Sequence, residues 1–355
     1  MGIQLMRTSS VAALLLLTLA TLPARDFGPP AGARMPNFNL PDQDGKTHTL
    51  KSLLGAKGAV VLVFRSADWC PYCKAQLMDL EKHQDDFHKL ELNVAALSYD
   101  SPAVLHHFAE RKNVHFPLLS DRDSKIIRSL GILNESVPKD SPQYGIPHPG
   151  VFVLDAKGVI KAKYFDEDDH QRYTSAGILL HQFGIIPATE RKEIQGKQIA
   201  VTSAASAETV SPGQRIVLTL DLELKPKMHV YAPGVETYIP IEWKMKDGEP
   251  VIAQPAVFPA PQKLHLDAIG ETVPAYSGHF QLVRDINIQD VDKIRPAVNT
   301  AGYFTIHSTL RYQACDDRIC YIPQELPIQW TLRYEDLDTQ RVPVELQRKG
   351  HASSD

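Results

Sequence analysis

Between Pro36 and Gly184, short apolar runs alternate with stretches whose apolar positions recur at helical spacing. Gly58 to Arg65 (GAVVLVFR) is a Val-rich run that predicts a buried strand. Leu77, Leu80 and Phe87, with Lys, Glu and Asp between them, predict a helix after Cys70. Residues 93–99 read as a strand, 103–112 as a helix and 124–130 as a short helix. Residues 151–154 and 159–164, split by Asp155-Ala-Lys-Gly158, read as a hairpin, and 172–183 as a closing helix. Alternating β and α elements of this length indicate an α/β sheet.

The pattern changes near Ile185. Strand-sized runs then dominate, at 215–224, 239–245, 279–283, 304–312 and 328–334, punctuated by Pro212-Gly213, Pro233-Gly234 and Pro259 to Pro261. Short strands at this spacing predict an all-β sandwich. The expected organisation is a first domain over 32–185, a linker over 186–199, a β domain over 200–335, and a polar tail over 336–355 that frays.

A chain of 355 residues is long enough for two domains, each with its own core. With 38 Lys+Arg against 42 Asp+Glu it carries no basic footprint for nucleic acid. At the N-terminus Arg7, the apolar run Val11 to Leu22 and Pro23-Ala24 read as a secretory signal over 1–24. The run is short of the ~20 residues that span a bilayer. The expected mature protein is therefore soluble and exported, periplasmic or secreted.

Four cysteines fall in two close pairs, Cys70 with Cys73 and Cys315 with Cys320. Disulfides persist in exported proteins. Loops this small are poor entropic staples, because stapling grows with loop length. The pattern suits reversible thiol chemistry.

Trp69-Cys70-Pro71-Tyr72-Cys73 follows an apolar strand and opens a helix. That context puts Cys70 at a helix N-terminus, where unpaired N–H groups and the helix dipole favour a thiolate. Cys73 lies one turn in, placed to attack a mixed disulfide made by Cys70. Pro71 sits where its missing N–H costs little. Cys70 is expected as the exposed nucleophile and Cys73 as the resolving thiol. A zinc site would have to recruit the second pair across 241 intervening residues, far outside the usual ligand spacing. No metal, flavin or nucleotide motif is present, so no cofactor is expected.

This half of the chain resembles the thioredoxin superfamily, and within it the peroxiredoxin-like AhpC/TSA (redoxin) branch. The resemblance rests on Phe38-Asn-Leu-Pro41 with Asp44-Gly45, on Val63-Phe64-Arg65 before the C-P-Y-C motif, and on Ile146-Pro147-His148-Pro149-Gly150 leading into Val151 to Asp155. It implies a thioredoxin-like fold, with Pro149, or alternatively Pro147, as a cis-proline facing the nucleophilic sulfur. Trp69, Pro71, Tyr72 and Pro149 are then expected to position substrate at the dithiol. Typical peroxiredoxins carry Pro and Thr/Ser seven and three residues before the reactive Cys. Val63 and Ala67 stand there, with Ser66 next door. The missing hydroxyl favours disulfide exchange over peroxide reduction.

The second pair lies in Tyr312-Gln-Ala-Cys315-Asp-Asp-Arg-Ile-Cys320-Tyr-Ile-Pro323. Extended flanks suit a hairpin with one Cys on each arm and a polar tip at Asp316 to Arg318. A static clip is the alternative. The segment closely resembles the N-terminal periplasmic domain of DsbD-type thiol:disulfide interchange proteins. The likeness extends to Met228-His-Val-Tyr231-Ala-Pro233-Gly234, Thr237-Tyr-Ile-Pro240, Pro259-Ala-Pro261 and Tyr276-Ser-Gly278. It implies an immunoglobulin-like sandwich, a reversible Cys315–Cys320 disulfide, and a cap loop near 267–270, where Ala268 and Ile269 replace the family's aromatic residue.

Together these features predict an α/β thioredoxin-like fold followed by an all-β immunoglobulin-like sandwich. The expected function is an exported thiol–disulfide oxidoreductase passing electrons between Cys315/Cys320 and Cys70/Cys73 toward disulfide substrates. Its expected partners are protein thiols and disulfides, including a membrane electron donor of DsbD type. The alternatives are a thiol peroxidase with Cys70 as the peroxidatic residue and peroxide as substrate, and a non-enzymatic module that binds a redox partner.

Overall fold

A computed structural model of the chain describes residues 26–185, 189–266 and 270–349. The expected export signal, 1–24, lies outside the described residues, as does 267–269 of the expected cap loop.

The first half is a five-stranded sheet in the spatial order Leu118–Ser120, Leu92–Ser98, Gly58–Val63, Gly150–Asp155 and Ile160–Phe165. The first three strands are parallel and the other two pair antiparallel. Every residue of Gly58–Val63 is buried. Val60 and Leu62 pack with Leu77, Phe87, Phe108 and Ile178 of the helices Pro71–Lys89, Pro102–Lys112 and Ser175–Phe183. Val61 and Val63 face Phe38, Leu50 and Ile127 on the other side. Burial on both faces is why this strand reads as an unbroken apolar run. The thioredoxin-like expectation holds.

The second half is a sandwich. One sheet runs Val251–Ala253, His279–Ile288, Gln214–Leu224, Ile199–Ala205 and Arg191–Gln195; the facing sheet runs Thr209–Val210, Gln324–Tyr334, Tyr303–Tyr312 and Glu242–Met245. Alternate residues Ile216, Leu218, Leu220 and Leu222 meet Phe304, Ile306, Leu310 and Trp330 between them. A smaller sheet, ordered Gln262–Leu266, Glu271–Ser277, His229–Tyr231 and Ala314–Cys315, carries the second cysteine pair.

Three expectations are corrected. Residues Arg191–Gln195, read as linker, form the edge strand beside Ile199–Ala205. Their charge, which protects an edge, is what makes them look like linker. The helix expected from Arg172 begins only at Ser175, because Arg172–Tyr173 is a strand and Thr174 is the N-cap, its side chain accepting from the Gly177 N–H.

Residues 336–349 of the tail do not fray; they return across the first domain as a strap. Asp338 pairs with Arg111 (2.7 Å) and Lys112 (3.0 Å), and the Gln340 carbonyl accepts from Lys74 Nζ (2.5 Å). Arg341 donates twice to Asp68 (2.7 and 2.6 Å), and Val342 is buried in the first domain's core. Arg348 lies over the Tyr99 ring, 4.5 Å from its centroid. Asp338 and Arg341 find their partners more than 200 residues away in sequence, so the tail read alone looks merely polar.

The strand Arg172–Tyr173 joins the halves by pairing parallel with Gln214 and Arg215, and the Arg172 N–H donates to the Gly213 carbonyl (2.7 Å). Arg215 bonds Asp166 and the Tyr173 hydroxyl, with its guanidinium 4.3 Å from the Tyr173 ring centroid. His181 meets Asp285 at 2.8 Å. At Gly213 (φ +79°) an added Cβ would lie 2.2 Å from the His170 carbonyl oxygen and 2.8 Å from Tyr72 Cδ1. Only glycine permits so close an approach with that backbone.

Candidate active site: two dithiols at opposite ends of the sandwich

Cys70 is the N-cap of the 71–89 helix and Pro71 occupies its first turn. Cys70 and Cys73 are disulfide-bonded, and Cys70 Sγ accepts from the Cys73 N–H at 3.2 Å. The sequence therefore places this pair correctly. The expectation that Cys70 is exposed is not met: both cysteines are 0% exposed. The strap, through Asp68 and Lys74, lies on one side of the motif. The sandwich, through Gly213 and Asp290, closes on Tyr72 at the other.

The loop ahead of Cys70 is held from below by Asp100. This fully buried carboxylate accepts from the Ala67 N–H (2.7 Å), Ser66 Oγ (2.9 Å) and Ser98 Oγ (3.2 Å). Burial pushes its pKa up to about 6. Ser66 is thereby committed to Asp100 and to the Asp68 N–H, and does not replace the hydroxyl missing at Ala67. Trp69 donates from Nε1 to the Tyr99 hydroxyl (3.0 Å). Tyr72 stacks on His170, with ring centroids 4.4 Å apart, and burial together with Asp290 raises its pKa.

Two arginines not assigned from the sequence reach the sulfurs. Arg65 Nη2 lies 3.6 Å from Cys70 Sγ, and its backbone N–H donates to Cys73 Sγ (3.4 Å). Arg172 Nη2 lies 3.9 Å from Cys73 Sγ. Asp169 pairs with Arg65 at 2.9 Å. His148, with Nδ1 3.9 Å from its carboxylate, and Arg65 hold the Asp169 carboxyl below its usual range. An Arg beside an apolar strand gives no signal of its own, and Arg172 lies 99 residues from Cys73.

The cis-proline expectation is also corrected. The described residues contain no cis peptide bond, so Pro149 and Pro147 are both trans. His148 N–H donates to the Ile132 carbonyl (2.7 Å) and Gly150 pairs with Val63, so the segment is held extended on both sides of Pro149. Pro149 is buried; Trp69, Pro71 and Tyr72 flank the dithiol.

Matches to known families follow the division into halves. A model of the AhpC/TSA family covers residues 31–163, and a model described as thiol:disulfide interchange protein DsbD, N-terminal, covers 195–330. Peroxiredoxin Bcp of Escherichia coli (strain K12) is 33% identical over 136 residues, which are 38% of this chain and 85% of that protein. The chain belongs to the AhpC/TSA family. Peroxiredoxin Q, chloroplastic, of Populus jackii is 33% identical over 42% of this chain and 67% of its own length. Among solved structures, peroxidoxin BcpB from Mycobacterium tuberculosis is similar at 22% identity over 39% of this chain and 86% of that one, with a TM-score of 0.35. This AhpC/TSA protein is accordingly a thiol-dependent redox enzyme with a DsbD N-terminal-type domain appended.

The appended domain holds its disulfide on a hairpin, as the spacing predicts. Cys315 and Cys320 are bonded and form an antiparallel bridge, and Cys315 pairs with His229 on the neighbouring strand. Asp316 accepts from the N–H groups of Arg318 and Ile319 and from the Tyr321 hydroxyl, which closes the turn and lowers its own pKa. Cys315 is 1% exposed, whereas Cys320 is exposed. Ile319 (55% exposed) and Ile322 (81%) stand beside Cys320. The Tyr231 hydroxyl lies 3.9 Å from Cys320 Sγ, and its ring stacks on Tyr238. Neither tyrosine was assigned a role from the sequence.

The two dithiols are far apart. Gln214–Leu224 meets the first domain at Arg215. At its other end, Leu224 donates to Gly278, next to Ser277, which pairs with His229 beside Cys315. Those nine steps of strand span ~30 Å. A disulfide needs its Cα atoms within ~7 Å.

Proposed function

We propose that the protein is an exported thiol–disulfide oxidoreductase in which the hairpin pair exchanges with protein partners and with a Cys70/Cys73 pair. The observation that carries this reading is the unequal exposure of the hairpin sulfurs. Cys320, accessible and flanked by Ile319 and Ile322, suits attack by a partner thiolate, and buried Cys315 suits release as the leaving thiolate. A membrane electron donor of DsbD type fits as that partner, and protein disulfides fit as acceptors. With a strand segment of ~30 Å between the two sites, exchange between them requires the sandwich to undock or a second copy of the chain to supply the hairpin.

The test is the Cys73→Ser, Cys315→Ser double variant, oxidised gently, digested and mapped. A Cys70–Cys320 peptide from monomer, formed at a rate independent of protein concentration, supports exchange by undocking. The same peptide from dimers supports exchange between copies. Absence of the cross-link, while both native disulfides form in the wild type, assigns each domain to an external partner.

A second reading, thiol peroxidase, is favoured by the peroxiredoxin relatives and by Arg65 Nη2 at 3.6 Å from Cys70 Sγ. The lack of a hydroxyl at Ala67 opposes it. Saturating, fast oxidation of the reduced protein by hydrogen peroxide in stopped flow establishes this second reading.

A further inference from the structure

The Arg172 side chain occupies an unusual electrostatic position. It is buried, and its Nε atom has no hydrogen-bond partner among the described residues. Nη1 donates to the Gln171 carbonyl (2.8 Å), and Nη2 is directed to Cys73 Sγ. Burial, and then the neighbouring Arg65, lower its pKa to about 9, so it is still a cation near neutral pH. The charges acting on it are Arg65 and the carboxylates of Asp169, Asp168 and Asp166, with His148 behind Asp169. Asp169 is already paired with Arg65 and Asp166 with Arg215. A buried cation thus faces a neutral sulfur, an arrangement that is costly while that sulfur is in a disulfide.

We propose that Arg172 is a catalytic residue of thiol–disulfide exchange at this site, stabilising Cys73 as the leaving thiolate. This inference rests on the reading that the Cys70/Cys73 pair cycles. A donor dithiol, from a protein or a small molecule, supplies a thiolate that attacks Cys70 Sγ. A donor–Cys70 disulfide forms, the Cys70–Cys73 bond breaks, and its electron pair leaves on Cys73 as a thiolate against the Arg172 guanidinium. The donor's second thiolate then attacks its own sulfur of the mixed disulfide and expels Cys70, beside Arg65. The donor is oxidised to a disulfide by two electrons and Cys70/Cys73 is reduced to the dithiol. The donor's protons pass to the product thiols or to solvent. A lower leaving-group pKa speeds such a step and favours the reduced product. The arrangement makes Cys70/Cys73 an electron-accepting pair.

The sandwich is part of this device. Arg172 is held because its backbone pairs with Gly213, Gln214 and Arg215, three residues of the second domain.

The experiment uses the full chain with Arg172→Met and Arg172→Lys. Two quantities are read: the equilibrium of Cys70/Cys73 with glutathione, and the Cys73 pKa from thiolate absorbance in a Cys70→Ser background. The expected result for Arg172→Met is at least a tenfold shift of the glutathione equilibrium toward the disulfide. The Cys73 pKa should rise by about one unit or more, and Arg172→Lys should recover part of both changes. The Cys315/Cys320 equilibrium, at the far end of the 214–224 strand, is the internal control and should not move. An unchanged equilibrium and Cys73 pKa in Arg172→Met, with the hairpin control intact, overturn the proposal. If the hairpin control moves, the fold is perturbed, and the Cys73 pKa in Arg172→Lys alone decides. A wild-type Cys70/Cys73 pair that glutathione never reduces refutes the underlying reading instead.

Discussion

The Tyr72 hydroxyl donates to Asp290 Oδ1 over 2.8 Å, so a residue inside the C-P-Y-C motif is bonded to the sandwich domain. Tyr72 also abuts Gly213 and stacks on His170. Access to the buried dithiol is therefore coupled to domain docking. A partly exposed hydrogen bond of this kind contributes ~0.5–1 kcal/mol. Tyr72→Phe should raise the rate at which dithiothreitol reduces Cys70–Cys73 by about two- to fivefold, read by quenched alkylation and mass mapping. An unaltered rate would mean that reductant attacks the docked form directly.

The strap supplies a second barrier. Asp68 is buried and accepts two hydrogen bonds from Arg341 and one from the Val342 N–H. Removing the Arg341 side chain leaves that carboxylate short of partners. Arg341→Ala should destabilise the first domain by about 1–3 kcal/mol in urea unfolding and speed reduction of Cys70–Cys73.

Acid should loosen the same strap. Burial works against the Asp338 carboxylate, but hydrogen bonds from Arg111 and Lys112 hold its pKa well below the usual range. Its stabilising contribution is present above ~4, the unfolded value, and is lost as pH falls through the depressed folded value. Protection of the strap in hydrogen exchange should drop over that acid range, and Asp338→Asn should abolish the drop.

Asp100 acts in the opposite sense. Its pKa of about 6 lies above the ~3.9 of an unfolded chain. The folded state thus holds the extra proton between ~4 and 6, and stability falls as pH rises through that window. Two units correspond to about 3 kcal/mol at most. Asp100→Asn should flatten this dependence in denaturant titrations at successive pH values.

The hydroxyl missing at Ala67 gives a gain-of-function test. Ala67 is buried, so Ala67→Ser adds one atom with limited overpacking. Because Ser66 is held by Asp100, the new hydroxyl would be the one available to orient a peroxide. The ratio of peroxide to disulfide reactivity should rise by about tenfold. An unchanged ratio in stopped-flow Trp fluorescence would exclude that hydroxyl as the limiting feature.

The sequence by itself determined the two folds and the two dithiols. Val60 to Val63 must be buried on both faces, Leu77 and Leu80 recur at helical spacing, and Cys70 stands where strand gives way to helix. These are local signals, carried by neighbours in the chain. Only the tertiary structure decided the rest. Arg172 reaches Cys73 across 99 residues. Arg341 reaches Asp68 across 273. Cys70 is buried because two distant segments close over it, and the dithiols are separated by the length of a strand that reads as ordinary sandwich core. Charges that find partners so far away in sequence leave no periodicity, and a polar tail looks the same whether it is solvated or clamped. What lies between the two sites is a matter of how the two halves dock, and that depends on surfaces that neither half's core pattern encodes.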